Sequence, residues 1–306
     1  MIQQNQPRFR QRVFGTTMPQ VMTSPSPTLP DDIAETVRRA LAEDVGGGDL
    51  TAALVPDGRI ARAQVVTRDD AVLCGGAWFD EVFHQLDARA RIVWKTPDGT
   101  AIRAGQVLCQ IEAPARAILT GERTALNFLQ TLSGVATRTH AYVDAVRDTK
   151  AVILDTRKTV PGLRLAQKYA VRCGGGQNHR LGLYDGILIK ENHISAAGSV
   201  TAALSAAKAA AQPNVLLEIE VENLMQLREA LAAGAKRILL DNFDLAGLRA
   251  VVDETRGRAQ LEISGGVTLA NVRALAETGV DFISVGDLTK NITAVDLSLR
   301  FEKTLR

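Results

Sequence analysis

Cysteine is scarce. Cys74, Cys109 and Cys173 are the only three in 306 residues, with no close spacing between them. That excludes a disulfide framework and a CxxC metal site, and it suits a reducing compartment. Aromatics are few as well, with two Trp, three Tyr and eight Phe. A base-stacking surface for nucleic acid needs aromatic faces, so that class is excluded. Neither sign of charge dominates. The 36 Lys and Arg against 34 Asp and Glu leave +2, so no global field draws in DNA or a membrane. No apolar run approaches the roughly 20 residues of a membrane-spanning helix. The four histidines (His84, His140, His179, His193) lack zinc-ligand spacing, and no Ser/His/Asp or Cys/His nucleophile set is visible. What is present is 46% hydrophobic residues, enough for a large α/β core. The expectation is a cytoplasmic enzyme.

The first 30 residues stand apart. They hold Pro7, Pro19, Pro25, Pro27 and Pro30, the cations Arg8, Arg10 and Arg12, and no acid. Without an apolar h-region they are no secretory signal, and residues 1–30 are expected to form a disordered tail. Order is expected from Asp31, where Asp31 and Asp32 suit a helix start and Ile33, Val37 and Leu41 recur at helical spacing. Gly46, Gly47 and Gly48 end that helix. Short strands then read over 63–67, 90–94 and 106–111, with a Pro97-Asp98-Gly99 turn among them. Thr120 is placed to cap a long helix carrying Leu126, Leu129 and Leu132.

Six short apolar runs come next, over 151–154, 186–189, 215–219, 238–240, 261–263 and 282–285. Helical patterns separate most of them, among them 224–233, 245–252 and 269–278. Apolar strands alternating with helices predict a parallel sheet. The half from 151 to 290 is far short of the roughly 250 residues of an eightfold barrel, so an open or incomplete α/β barrel of six or seven strands is expected. A doubly wound sheet is the alternative.

Every run ends in residues that active sites use. Leu154 leads into Asp155, Thr156, Arg157 and Lys158; Ile189 into Lys190; Leu240 into Asp241. Glu220 comes after the third run, Ser264, Gly265 and Gly266 after the fifth, and Gly286 after the sixth. In parallel α/β folds ligands bind where strand carboxyl ends converge. Seven cations and two acids fall between Asp155 and Lys190 (Arg157, Lys158, Arg164, Lys168, Arg172, Arg180 and Lys190 against Asp155 and Asp185). A basic surface helix accounts for Lys168 and Arg172. It does not account for Lys158 and Lys190, which abut strand cores, so an anionic ligand is expected. The glycines after Ser264, before a helix opening at Leu269, read as a phosphate cradle. Glu220 and Asp241 are candidates for sugar hydroxyls or for Mg²⁺, which takes one or two carboxylates together with substrate phosphates. His179, beside Arg180 and after three glycines, has the one suggestive setting among the histidines.

The segments DTRKTVPGLR (155–164), KYAVRCGGGQNHRLGLYDGILIKENH (168–193), EIEVEN (218–223), LLDN (239–242), EISGG (262–266) and ISVGDLT (283–289) closely resemble the quinolinate phosphoribosyltransferase family. EDVGGGDLT (43–51) and ERTALNFLQTLSG (122–134) extend the resemblance over nearly all of the chain from Asp31. It implies an N-terminal α/β sandwich domain over 31–133, joined by a returning C-terminal helix within 291–306, and a catalytic α/β barrel over 134–290. It implies a homodimer in which Arg123 reaches the partner's site. The implied reaction joins quinolinate to phosphoribosyl pyrophosphate, giving nicotinate mononucleotide, pyrophosphate and CO₂ with Mg²⁺. By motif match, Arg157, His179 and Arg180, with Thr156 and the partner's Arg123, hold quinolinate. Lys158, Lys190, Glu220 and Asp241 surround the phosphoribosyl pyrophosphate. Ser264, Gly265, Gly266, Val285, Gly286, Asp287 and Lys290 hold its 5′-phosphate. Two positions depart from the family pattern: Glu191 stands where Asp is common, and Lys290 where His is common. Two rivals share parts of this reading, a pyrophosphorylase associated with molybdate transport and a Schiff-base aldolase using Lys190. A phosphosugar-binding protein without catalysis is disfavoured by the acids at 220 and 241.

Overall fold

The computed structural model describes residues 27–213 and 215–302. The expected tail lies outside these residues except for 27–30. The first part of the chain runs α1 (Ile33–Val45), a 3₁₀ turn (Ala52–Leu54), β1 (Ile60–Thr67), β2 (Ala71–Val72), α2 (Gly76–Leu86), β3 (Arg91–Trp94), β4 (Ala101–Ile102), β5 (Val107–Pro114) and α3 (Ala115–Ala145). Helix α1 buries Val37 and Leu41 and stops at Gly46, whose φ of 53° is the left-handed conformation glycine tolerates. Ala61, Ala63 and Val65 alternate inward along β1, the period-two signature of a sheet covered on one face. That face meets α3, which in turn packs on α2, where Trp78, Phe79, Val82 and Phe83 are fully buried.

Thr120 does not cap α3; it lies one turn inside, and its hydroxyl donates to Asp49 Oδ2 at 2.8 Å. The helix runs through Gly121 and Gly134 because packing outweighs propensity. Leu126, Leu129 and Leu132 are buried and contribute about 2 kcal/mol each, against about 1 kcal/mol lost per interior glycine. Gly134 is there for close approach: a Cβ would collide with the Thr293 carbonyl oxygen.

The second part runs β6 (Val152–Leu154), α4 (Arg164–Cys173), β7 (Gly186–Ile189), α5 (Glu191–Ala197), α6 (Val200–Ala210), β8 (Leu216–Val221), α7 (Leu224–Ala232), β9 (Arg237–Leu240), α8 (Leu245–Thr255), β10 (Gln260–Ser264), α9 (Val272–Ala276), β11 (Phe282–Ser284), α10 (Asp287–Lys290) and β12 (Leu297–Phe301). Its sheet has six parallel strands in the order β6-β11-β10-β9-β8-β7. The first strand lies beside the last and the order never reverses, which is barrel winding and removes the doubly wound alternative. Nothing pairs β6 with β7 among the described residues, so the barrel is open; an isolated bridge from Leu154 to Gln177 extends the β6 edge.

The chain then returns to the first domain as a strand rather than the expected helix. Leu297, Leu299 and Phe301 alternate with Ser298 and Arg300, and this period-two pattern pairs β12 antiparallel to β1 in a sheet ordered β12-β1-β5-β3. Among the described residues no helix is long and apolar enough to cross a membrane.

Candidate active site

Parallel register brings the six strand ends to one rim. Ile189 pairs with Ile219, Val221 with Leu240, Ile263 with Leu240, and Ser284 with both Ser264 and Leu154. Three close approaches tie the rim together. Lys190 Nζ lies 3.0 Å from Glu220 Oε2. Asp241 Oδ1 lies 3.5 Å from where a Cβ on Gly265 would stand. The Lys158 stem crosses Gly286 so closely that a Cβ there would meet Lys158 Cδ at 2.9 Å and Thr156 Oγ1 at 3.6 Å. Lys158, Lys190, Glu220, Asp241, Gly265 and Gly286 therefore share one bowl.

Arg157 and Arg180 belong to segments that Arg164 ties together at the rim. Burial first, and then the Arg157 charge, hold the Arg180 guanidinium below its ordinary value. Cations grouped on neighbouring segments suit a negatively charged ligand. Arg164 joins them through Arg157 O at 3.5 Å, Thr159 Oγ1 at 3.0 Å and Leu181 O at 3.3 Å.

Four expectations change. Lys168 is not a surface residue: it is buried, with Nζ 2.5 Å from Asp155 Oδ1, so an internal partner cancels one of the counted cations. Desolvation is what forbids it from standing there unpaired. His179 does not turn a free ring nitrogen to the bowl. Its Nδ1 accepts from Arg180 N–H at 2.7 Å and its Nε2 lies 2.8 Å from Glu218, so both ring nitrogens have partners within the chain. The Asp287 side chain is committed to its own chain. Its carboxylate pairs with Arg138, takes the Tyr142 hydroxyl at 3.3 Å and bonds Asn291, so it docks α10 on α3. Val285 is buried, and its N–H donates to Leu154 O at 2.9 Å, continuing the sheet rather than facing a ligand.

The cradle differs in detail too. The helix expected at Leu269 begins at Val272, because Asn271 takes Thr268 N–H on Oδ1 and donates to Gly266 O, closing a turn first. Ser264, Gly265 and Gly266 sit at the rim, with both glycines at positive φ, and Lys290 is exposed at the end of α10. Arg123 lies exposed on α3, between Thr120 and Thr124, which hold Asp49 and Asp44 of the first domain. Sequence reasoning passed over Asn242, whose left-handed φ of 62° lets its side chain bond Asp241 Oδ2 at 3.2 Å. It also passed over Asn178, which braces Asp155 at 2.6 Å.

Beneath the bowl the barrel interior is charged. Burial first, then the neighbouring Glu218 charge, push the Glu262 carboxyl up to about 7. Burial acts the same way on Glu218, yet the His179 hydrogen bond and nearby cations bring it below the usual range. Burial opposes a charged His179, and the Glu218 and Glu262 partners overcome it, raising the ring. Glu262 binds its proton more tightly when folded, so its stabilisation is full below about pH 4.5 and is lost as pH rises through about 7. Tm is expected to fall between about pH 5 and 8, and Glu262→Gln to flatten that slope, as read by calorimetry. A wild-type slope that Glu262→Gln leaves intact contradicts the assignment.

Comparison with known proteins decides the family. Residues 135–300 match the family model of the quinolinate phosphoribosyl transferase C-terminal domain, and residues 49–133 that of the N-terminal domain. The chain belongs to the quinolinate phosphoribosyltransferase family. Within the family, a nicotinate-nucleotide pyrophosphorylase (carboxylating) of Mycobacterium leprae is 47% identical over 88% of this chain and 97% of its own. A probable nicotinate-nucleotide pyrophosphorylase (carboxylating) of Bacillus subtilis is 43% identical over 84% of this chain and 89% of its own. Among solved structures, the Francisella tularensis nicotinate-nucleotide pyrophosphorylase superposes with a TM-score of 0.87 at 47% identity, covering 90% of this chain and 98% of that one.

Proposed function

We propose that this chain transfers the phosphoribosyl group of phosphoribosyl pyrophosphate to quinolinate with decarboxylation, yielding nicotinate mononucleotide, pyrophosphate and CO₂. The observation that carries the reading is that Arg157 and Arg180, on segments Arg164 holds together, accompany Lys158, Lys190, Glu220 and Asp241 at the strand ends. Two guanidinium groups suit two adjacent carboxylates on a rigid ring. The names carried by relatives of 43–47% identity support the same reaction.

The chemistry asks for placement rather than a nucleophilic side chain. As pyrophosphate leaves, its negative charge meets Lys158 and Lys190, while positive character on the ribose meets Glu220 and Asp241. The ring nitrogen of quinolinate then bonds the ribose carbon, becomes quaternary, and accepts the electron pair released with CO₂. Arg157 and Arg180 keep the ring in that orientation.

Glu220 and Asp241 supply hard oxygen donors on neighbouring strands, the donor type that Mg²⁺ combines with phosphate oxygens and water, so the residues present fit that ion. When bound there, Mg²⁺ would neutralise pyrophosphate charge. The same reading makes the protein a homodimer with Arg123 completing the partner's bowl, and a cytoplasmic enzyme acting on small molecules.

The aldolase reading loses its footing because Lys190 is committed to Glu220. The molybdate-associated alternative lacks a use for the arginine pair. One assay tests the proposal: protein, Mg²⁺, phosphoribosyl pyrophosphate and quinolinate are mixed, and loss of the dicarboxylate is monitored beside a nicotinate control. Quinolinate consumption with nicotinate untouched is expected. Turnover of nicotinate alone overturns the reading.

A further inference from the structure

The floor of the barrel is an ion network where such barrels ordinarily carry branched apolar side chains. Glu218 and Glu262 are fully buried, and the side chains of His179 and Arg237 are only 8% and 12% exposed. Arg237 Nε lies 3.3 Å from Glu218 Oε1, and its Nη2 lies 2.5 Å from Glu262 Oε2. Ser284 Oγ donates to Glu262 Oε1 at 2.5 Å, and the guanidinium stacks 3.7 Å from the centre of the Phe282 ring. His179, Glu218 and Glu262 are close enough together to suggest a metal, but Arg237 already fills the cation's place between the acids.

Stability does not account for this network, since apolar side chains of equal volume in place of a buried ionic cluster are commonly neutral or stabilising. What the network supplies is a fixed His179. Every polar atom of that residue is engaged: N–H with Asp155 Oδ1 at 2.9 Å, O with Lys168 Nζ at 3.0 Å, Nε2 with Glu218 at 2.8 Å and Nδ1 with Arg180 N–H at 2.7 Å. The last bond passes the constraint to Arg180, whose Nη1 is itself anchored on Gly186 O at 2.9 Å. Glu218 lies two residues below Glu220 on the same face of β8, about 7 Å deeper, so the network is directly beneath the bowl.

We propose that Glu218, Arg237 and Glu262 are positioning residues that act through His179 to aim Arg180 at one carboxylate of the pyridine dicarboxylate. The inference rests on the quinolinate reading above. It predicts a selective effect: a loosened Arg180 weakens capture of quinolinate, while Glu220 and Asp241, on the same strands but bonded to Lys190 and Asn242 rather than to the network, leave the phosphoribosyl pyrophosphate end unchanged.

Two variants test it. Glu218→Gln/Arg237→Met/Glu262→Gln removes all three charges at nearly constant volume, and Arg237→Lys keeps the charge but loses the two-pronged geometry. Each is assayed in the full chain for both KM values and for Tm. Expected is a rise of about tenfold or more in the quinolinate KM of the triple variant, with the phosphoribosyl pyrophosphate KM within about twofold of wild type. Arg237→Lys is expected to fall between wild type and the triple variant. An unchanged quinolinate KM in either folded variant, or equal changes in both KM values, overturns the inference while wild-type turnover leaves the functional reading intact. Should the triple variant not fold, Arg237→Lys decides alone. If wild type does not consume quinolinate, the functional reading itself fails and this inference falls with it.

Discussion

Lys190→Ala is expected to lower kcat by about a hundredfold or more while leaving Tm close to wild type. The two halves of that expectation have separate causes. Lys190 is half exposed, and its pair with Glu220 at 3.0 Å is the kind of surface ion pair that contributes about 0–1 kcal/mol to stability. In a bowl closed over two multiply charged substrates the same ammonium would face a leaving group whose charge grows as its bond breaks. A preorganised cation there favours the transition state over the ground state, so its loss falls on kcat rather than on KM. Turnover within a few-fold of wild type would show that Lys190 is not where the charge develops, and the site assignment would have to move.

Mixing an Arg123→Ala chain with an Arg157→Ala chain is expected to restore activity that neither has alone. Arg123 is exposed on α3, where the neighbouring Thr120 and Thr124 hold Asp49 and Asp44, so it is open to a partner chain. If each bowl takes Arg157 from one chain and Arg123 from the other, a mixed dimer contains one intact site of two. Random pairing makes half of the dimers mixed, so the mixture should reach about a quarter of wild-type activity after subunit exchange. Activity that stays at the level of the separate variants would place Arg123 outside the site, and size-exclusion chromatography on the same mixture would show whether a dimer forms at all.

The catalytic rim is legible from sequence because its signals are local. An apolar run that stops at Lys190, Asp241 or Gly265 announces both a strand and the polar or glycine residue at its tip, and parallel pairing then puts all such ends on one edge. The returning β12 reads less clearly. Leu297, Leu299 and Phe301 carry period two, but the five-residue run is too short to decide against the expected helix without its partner β1. Lys168, His179 and Asp287 depart from expectation for a common reason. Each is a polar residue whose direction is set by a partner elsewhere in the chain, namely Asp155, Glu218 and Arg138.

By itself the sequence determined the class of fold, the order of most strands and helices, and the residues that gather at the strand ends, since those arise from periodicity and turn chemistry along the chain. Tertiary structure alone decided which charges stand at the rim and which are neutralised inside. A buried ion must meet its counter-ion or be expelled, and that meeting depends on packing between distant segments that no local pattern records.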